Sequence, residues 1–112
     1  MKITIIGIGR LGGALAVALA RKGYQIENLV SRNEINAKKI AGIILQSPQI
    51  LNPQDFEKIN SEIIIISTQD YEIENVAENL GQKLKNQPIV FHTSGSLSSE
   101  ILKKLAEKGC PV

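Results

Sequence analysis

The sequence predicts an α/β domain of three layers, a doubly wound parallel sheet with helices on both faces. Three observations predict it. Short β-branched runs alternate with helical segments, which is the pattern of repeated βαβ units. The run Ile63-Ile64-Ile65-Ile66 is continuously apolar, as expected of a strand buried on both faces. The first apolar run, Ile3-Thr4-Ile5-Ile6, leads directly into Gly7-Ile8-Gly9-Arg10-Leu11-Gly12 and then into a helical segment. Because crossovers between parallel strands are right-handed, a strand order of 3-2-1-4-5 is the economical arrangement.

Each element has its own signal. The first strand is expected over about Lys2–Ile6. A helix follows over about Arg10–Arg21, with Leu11, Leu15, Ala18 and Leu19 read as its apolar face and Gly23 as its stop. The second strand is expected over about Gln25–Val30 and a second helix near Glu34–Ala41, ended by Gly42. Ile43–Leu45 reads as a short third strand. Asn52-Pro53 is a cap followed by proline at the first helical position, so a short helix is expected over about Pro53–Lys58. Ile63–Ile66 is the fourth strand, and Asp70 is expected to cap a helix over about Tyr71–Lys85. Pro88 opens a fifth strand, Pro88-Ile89-Val90-Phe91. Ser96 is expected to cap a last helix over about Leu97–Lys108, with Gly109 stopping it.

Composition bounds the function. The 112 residues fit one domain spanning 1–112, and a 43% hydrophobic share supports an ordinary folded core. A net charge of +2, with scattered lysines and no Trp, argues against a nucleic-acid partner. Lys38-Lys39 and Lys103-Lys104 read as solvated helix faces. One cysteine, Cys110, excludes an internal disulfide and reads as an inert thiol; one histidine gives no metal set, so no metal is expected. The chain enters its first strand without a signal segment and has no run long enough to span a bilayer, so a cytoplasmic location away from membranes is expected.

The glycine turn carries the main functional expectation. Gly7 permits the tight turn, Gly9 lets the backbone approach a pyrophosphate, and Gly12 lets the helix pack closely on the sheet. The amides of Arg10, Leu11 and Gly12 would face the negative charge. The alternative is a glycine turn that binds nothing. Where an NAD site carries an acid on the ribose 2′-hydroxyl, the end of the second strand reads Leu29-Val30-Ser31-Arg32-Asn33. A hydroxyl and a guanidinium there suit a 2′-phosphate, so NADP is expected over NAD. Arg32 also suits a plain surface arginine. Glu27 lies mid-strand and Glu34 begins a helix, so neither replaces the acid.

Two further segments are expected at the same carboxyl edge of the sheet. Ser67 and Thr68 could line the ribose–nicotinamide path, with His92, Thr93, Ser94 and Gly95 opposite. His92 suits either a proton donor or a hydrogen-bonded structural residue. Thr93, Ser94 and Ser96 also suit turn and cap positions. Asp70 fits a cap better than an acid–base group, and Tyr71 fits a partly buried packing position.

Taken together, Ile5 to Gly12, then Val30-Ser31-Arg32, then His92-Thr93-Ser94-Gly95-Ser96-Leu97-Ser98 followed by Glu100, resemble the N-terminal domain of a bacterial Rossmann-like family. In that family the domain is normally followed by a helical domain of unknown function. The group is similar to deazaflavin-dependent NADP oxidoreductases, pyrroline-5-carboxylate reductase and the β-hydroxyacid dehydrogenases. The resemblance implies an NADP-binding fold and oxidoreductase activity on an unassigned small molecule. Such proteins continue into another strand and a helical domain that completes the substrate pocket and usually the dimer; these 112 residues are expected to be the first part alone. As such they would bind cofactor and turn over little, and could self-associate through an uncovered edge. A non-enzymatic dinucleotide sensor or interaction module is the alternative. The sequence departs from the group at Ser67-Thr68-Gln69-Asp70, where relatives tend to have a proline before the Asp.

Overall fold

The computed structural model describes residues 1–44, 46–94, 102–107 and 109–111. In chain order they form β1 (Lys2–Ile6), α1 (Arg10–Arg21), β2 (Gln25–Val30), α2 (Glu34–Ile44), β3 (Gln49–Leu51), a 3₁₀ helix (Pro53–Lys58), β4 (Ile63–Ile66), α3 (Asp70–Lys83), β5 (Ile89–His92) and α4 (Lys103–Glu107). The strands make one sheet in the order β3-β2-β1-β4-β5. Every pairing is parallel, so the α/β fold is the doubly wound one that the alternating pattern predicts. Among the described residues no helix is long and apolar enough to cross a membrane.

The sheet separates two cores. On one face Ile6, Val30, Ile64, Ile66 and Val90 meet Phe56, Ile73, Leu80 and Leu105 from the 3₁₀ helix, α3 and α4. On the other face Ile3, Ile5, Ile26 and Leu29 meet Ala16 of α1 and Ala37 of α2. The β1–β2 register shifts between Ile3, opposite Ile26, and Thr4, opposite Asn28, which leaves Glu27 as an extra residue. Through this bulge Ile26 and Leu29, three apart, both reach the α1–α2 face. Thr4, Asn28 and Ser61 are buried polar residues, and they satisfy one another. Asn28 Nδ2 donates to Thr4 Oγ1 at 2.9 Å. The Thr4 and Ser61 hydroxyls lie 2.6 Å apart. Ser61 Oγ donates to Glu27 Oε1 at 2.7 Å, and Lys2 Nζ lies 3.4 Å from Glu27 Oε2. The bulged carboxylate thus anchors a polar chain that crosses from β2 over β1 to the approach of β4.

Several boundaries differ from expectation for clear reasons. Ile43 and Ile44 do not begin the third strand: α2 runs through Gly42 to Ile44, β3 is Gln49–Leu51, and Leu45 lies outside the described residues. Ile40 and Ile44, four apart, both pack on the α1–α2 core, so burial of one helix stripe outweighs the glycine. Gln46 then ties the connection to β2, accepting from the Ile26 amide at 2.7 Å and donating to the Tyr24 carbonyl at 3.0 Å. The buried face of α1 is Gly12, Gly13 and Ala16, with Leu15 and Leu19 partly buried, whereas Leu11 is 52% exposed and Ala18 is exposed. Small residues let the helix axis come close, and the leucines flank that line instead of forming it.

Asp70 is the first residue of α3 and not its cap, which is Gln69; the helix ends at Lys83. Tyr71 is not a packing residue: it is 79% exposed, because α3 buries Ile73, Ala77 and Leu80 instead. β5 begins one residue after Pro88 and includes His92. The Asn52 cap is as expected, with its side chain accepting from the Gln54 amide at 2.9 Å and Asp55 accepting from the Asn52 amide at 3.3 Å. The expected Ser96 cap and the start of the last helix lie outside the described residues. Gly109 has φ +102°, and beyond it the Pro111 carbonyl accepts from the Val90 amide of β5 at 2.8 Å.

Candidate functional site

The carboxyl ends of all five strands are stitched together by backbone bonds. The Gly7 amide donates to Val30 O at 2.8 Å, Ser67 to Ile6 O at 2.7 Å, Ser31 to Leu51 O at 3.1 Å and Thr93 to Ile66 O at 3.1 Å. Gly7 leaves β1 at φ +94°, and a Cβ there would lie 2.8 Å from the Ser67 carbonyl. A Cβ on Gly12 would overlap the Gly7 carbonyl oxygen. These two positions therefore require glycine, one for the turn and one for the close approach of α1. Gly9 differs. Among the described residues a Cβ on it would meet nothing within 4 Å, so its exposed backbone borders open space at the head of α1.

That helix end suits an anion. The helical ladder starts with the Gly13 amide donating to Gly9 O at 2.9 Å, so the first-turn amides at Arg10 to Gly12 have no helical acceptor before them. The first turn carries no acidic residue, and Gly9 at the cap offers no side chain to occupy the amides. A pyrophosphate fits this cradle on three counts: backbone donors, the positive end of a dipole, and room beside Gly9.

Next to the cradle is a cleft of about 410 Å³, within the range of small-molecule and cofactor sites. The glycine turn (Gly7, Gly9) forms one wall, and Ser31, Arg32 and Asn33 after β2 form a second. Ser67, Thr68 and Gln69 after β4 form a third. The apolar floor is Ile6, Val30, Pro53 and Phe56, and α3 closes it with Glu72, Asn75, Val76 and Asn79. Thr68 Oγ1 is buried at this wall and has no hydrogen-bond partner among the described residues. Ser31 Oγ is turned to the local backbone, donating to Asn33 O at 3.1 Å and accepting from its amide at 3.0 Å. Arg32 Nη2 lies 3.0 Å from Glu72 Oε2, an ion pair across the cleft between the loop after β2 and the first turn of α3.

The sequence-predicted residues thus divide. Gly7, Gly9, Ser31, Arg32, Ser67 and Thr68 share the cleft. Arg10, Leu11 and Gly12 stand behind it in the first turn of α1. Thr93 is joined to the same edge, its hydroxyl donating to Ser67 Oγ at 3.3 Å. His92 and Ser94 do not line the cleft; His92 Nδ1 accepts from the Ser94 amide at 3.2 Å, which leaves the ring proton of the neutral imidazole on Nε2. Gly95 lies outside the described residues. Glu27, engaged with Lys2 and Ser61, is not among the residues that line the cleft. Sequence reasoning missed the α3 wall. Its signal was a stripe at 72, 75, 76 and 79, the spacing of one helix face.

The chain is 28% identical over 117 residues to a glycerol-3-phosphate dehydrogenase (NAD(P)+) of Thermoanaerobacter sp. (strain X514), a match covering 96% of this chain and 35% of that protein. It is 31% identical over 85 residues to a 2-dehydropantoate 2-reductase of Aquifex aeolicus (strain VF5), covering 71% of this chain and 27% of that protein. The solved arogenate dehydrogenase of Synechocystis superimposes with a TM-score of 0.78 at 25% identity, covering 96% of this chain and 37% of that one. The chain therefore spans about a third of the length of the curated relatives it matches. A family model described as a Rossmann-like domain matches residues 1–112. With its parallel 3-2-1-4-5 sheet and a glycine turn leading into the first helix, the chain belongs to the Rossmann-like domain family.

Proposed function

We propose that residues 1–112 are the NADP(H)-binding domain of an NADP-dependent oxidoreductase acting on a small molecule. The observation that carries this reading is the open backbone at Gly9 beside the uncapped head of α1, with Arg32 at the mouth of the same cleft. Gly7, Gly9 and the amides of Arg10, Leu11 and Gly12 hold the pyrophosphate. Ser31 and Arg32 bind the ribose 2′-phosphate through hydrogen-bond donors, where a carboxylate would repel it. Pro53, Phe56, Val30 and Val76 supply the apolar slot for the adenine ring. Ser67 and Thr68 face the ribose–nicotinamide path, backed by Thr93, whose hydroxyl donates to Ser67 Oγ. His92 is the candidate polariser of a substrate carbonyl, through the Nε2–H that its bond from the Ser94 amide leaves as donor. When bound, the dinucleotide supplies hydride transfer, a chemistry no side chain has.

The relatives' dehydrogenase and reductase names support an enzymatic role for the whole protein, and the share of their length lying beyond these residues supports a substrate pocket completed elsewhere. The domain alone then binds cofactor with little turnover. A non-enzymatic dinucleotide sensor is the second reading, favoured by one feature: His92 is not among the residues lining the cleft. NADPH oxidation by the full protein with carbonyl or imine substrates separates the two.

Calorimetric titration and thermal shift with NADP and NAD test the cofactor reading. NADP is expected to bind more tightly and to raise the melting temperature, since a ligand of the native state stabilises it. A Kd for NAD equal to or below that for NADP refutes the preference. No shift with either at millimolar concentration refutes dinucleotide binding.

A further inference from the structure

The acid missing from the end of β2 has a counterpart on another element. Glu72 stands in the first turn of α3 and lines the same cleft as Ser31 and Arg32. Its Oε2 lies 3.0 Å from Arg32 Nη2, although the two residues are forty apart in sequence. The Arg32 side chain is 74% exposed, whereas that of Glu72 is 21% exposed, so the carboxylate is the fixed partner and the guanidinium the adjustable one. An exposed ion pair of this kind adds little to stability, so its consequence is for what enters the cleft.

We infer that Glu72 is a specificity-determining residue that holds the cofactor site between NADP and NAD, a proposal that rests on the dinucleotide reading above. A 2′-phosphate must take Arg32 from Glu72 and then sit beside the displaced carboxylate, which repels it. A 2′-hydroxyl meets the opposite situation: Glu72 can accept its hydrogen bond, as an acid at the end of β2 would. The same pair therefore lowers affinity for NADP and raises it for NAD. The site is an NADP site with a built-in brake, and it keeps measurable affinity for NAD.

The test is a set of titrations of the full chain with NADP and NAD, and with 2′,5′-ADP and AMP as probes of the adenosine half. Glu72→Gln is expected to tighten NADP and 2′,5′-ADP by about tenfold, from loss of the competing charge, and to weaken NAD and AMP. Glu72→Ala should tighten NADP likewise, and pairing either change with Arg32→Ala should abolish the gain. An unchanged NADP-to-NAD ratio in Glu72→Gln and Glu72→Ala, with wild-type binding intact, overturns this inference alone. Wild-type protein that binds none of the four probes overturns the dinucleotide reading and this inference with it.

Discussion

Gly12 lies directly against the carbonyl oxygen of Gly7, with no space between them for even one added carbon. The first turn of α1 is thereby locked to the end of β1, and the cradle amides are aimed by backbone contact alone. Gly12→Ala is expected to cost about 2–4 kcal/mol, because overlap with backbone cannot be relieved by a rotamer change. Gly9→Ala meets no neighbour and should cost under about 1 kcal/mol at that cap position, yet weaken dinucleotide binding more than tenfold. Urea denaturation and calorimetry on both variants would separate a stability glycine from a binding glycine.

Arg32 offers a second prediction. Arg32→Ala removes a charged donor from the proposed 2′-phosphate site and should weaken NADP by about 10–100-fold, the range for a hydrogen bond to a charged group. Stability should change by less than about 1 kcal/mol, since the Glu72 partner forms an exposed pair. Titration at two salt concentrations checks the assignment: wild-type affinity for NADP should fall with salt, and that of the variant much less.

The buried polar chain gives a third. Thr4→Val keeps the shape but removes the hydroxyl that Asn28 Nδ2 and Ser61 Oγ share. Leaving the Asn28 amide unsatisfied should cost about 1–3 kcal/mol. Dinucleotide affinity should stay within about twofold, because the network lies outside the cleft lining. Chemical denaturation followed by titration measures both.

A fourth concerns the α1–α2 face of the sheet. Phe91 is 50% exposed and Ile89 39% exposed, beside Ile65 and Ile63 of β4. Light scattering of residues 1–112 is expected to show concentration-dependent association, and Phe91→Ser to reduce it. The stability change should stay within about 0.5 kcal/mol for so exposed a side chain.

Local chemistry was legible in the sequence and long-range placement was not. Asn52-Pro53, the Ile63–Ile66 run and the Gly7–Gly12 turn each carry their signal within a few residues, and each element lies where that signal places it. Ile43 and Ile44, two β-branched residues after a glycine, resemble a strand, whereas Ile44 packs in a helix stripe that depends on α1 and Ile43 stays exposed. The α1 face was misphased because its leucines outrank glycine and alanine in hydrophobicity, although closeness to the sheet selects the small residues. Glu72 and the Thr4–Ser61 contact join positions forty and fifty-seven apart, a relationship that no local window contains.

The extra residue in β2 separates distance along the chain from distance in space. Glu27 adds one position between the glycine turn and Ser31 without moving Ser31, because Ile26, Leu29 and Val30 keep the faces that strict alternation without it would assign them. A ruler marked in residues therefore reads one unit long on this strand. Ser31 is reached by following β2 to the carboxyl edge of the sheet, one residue further along the chain than unbroken alternation would place that edge.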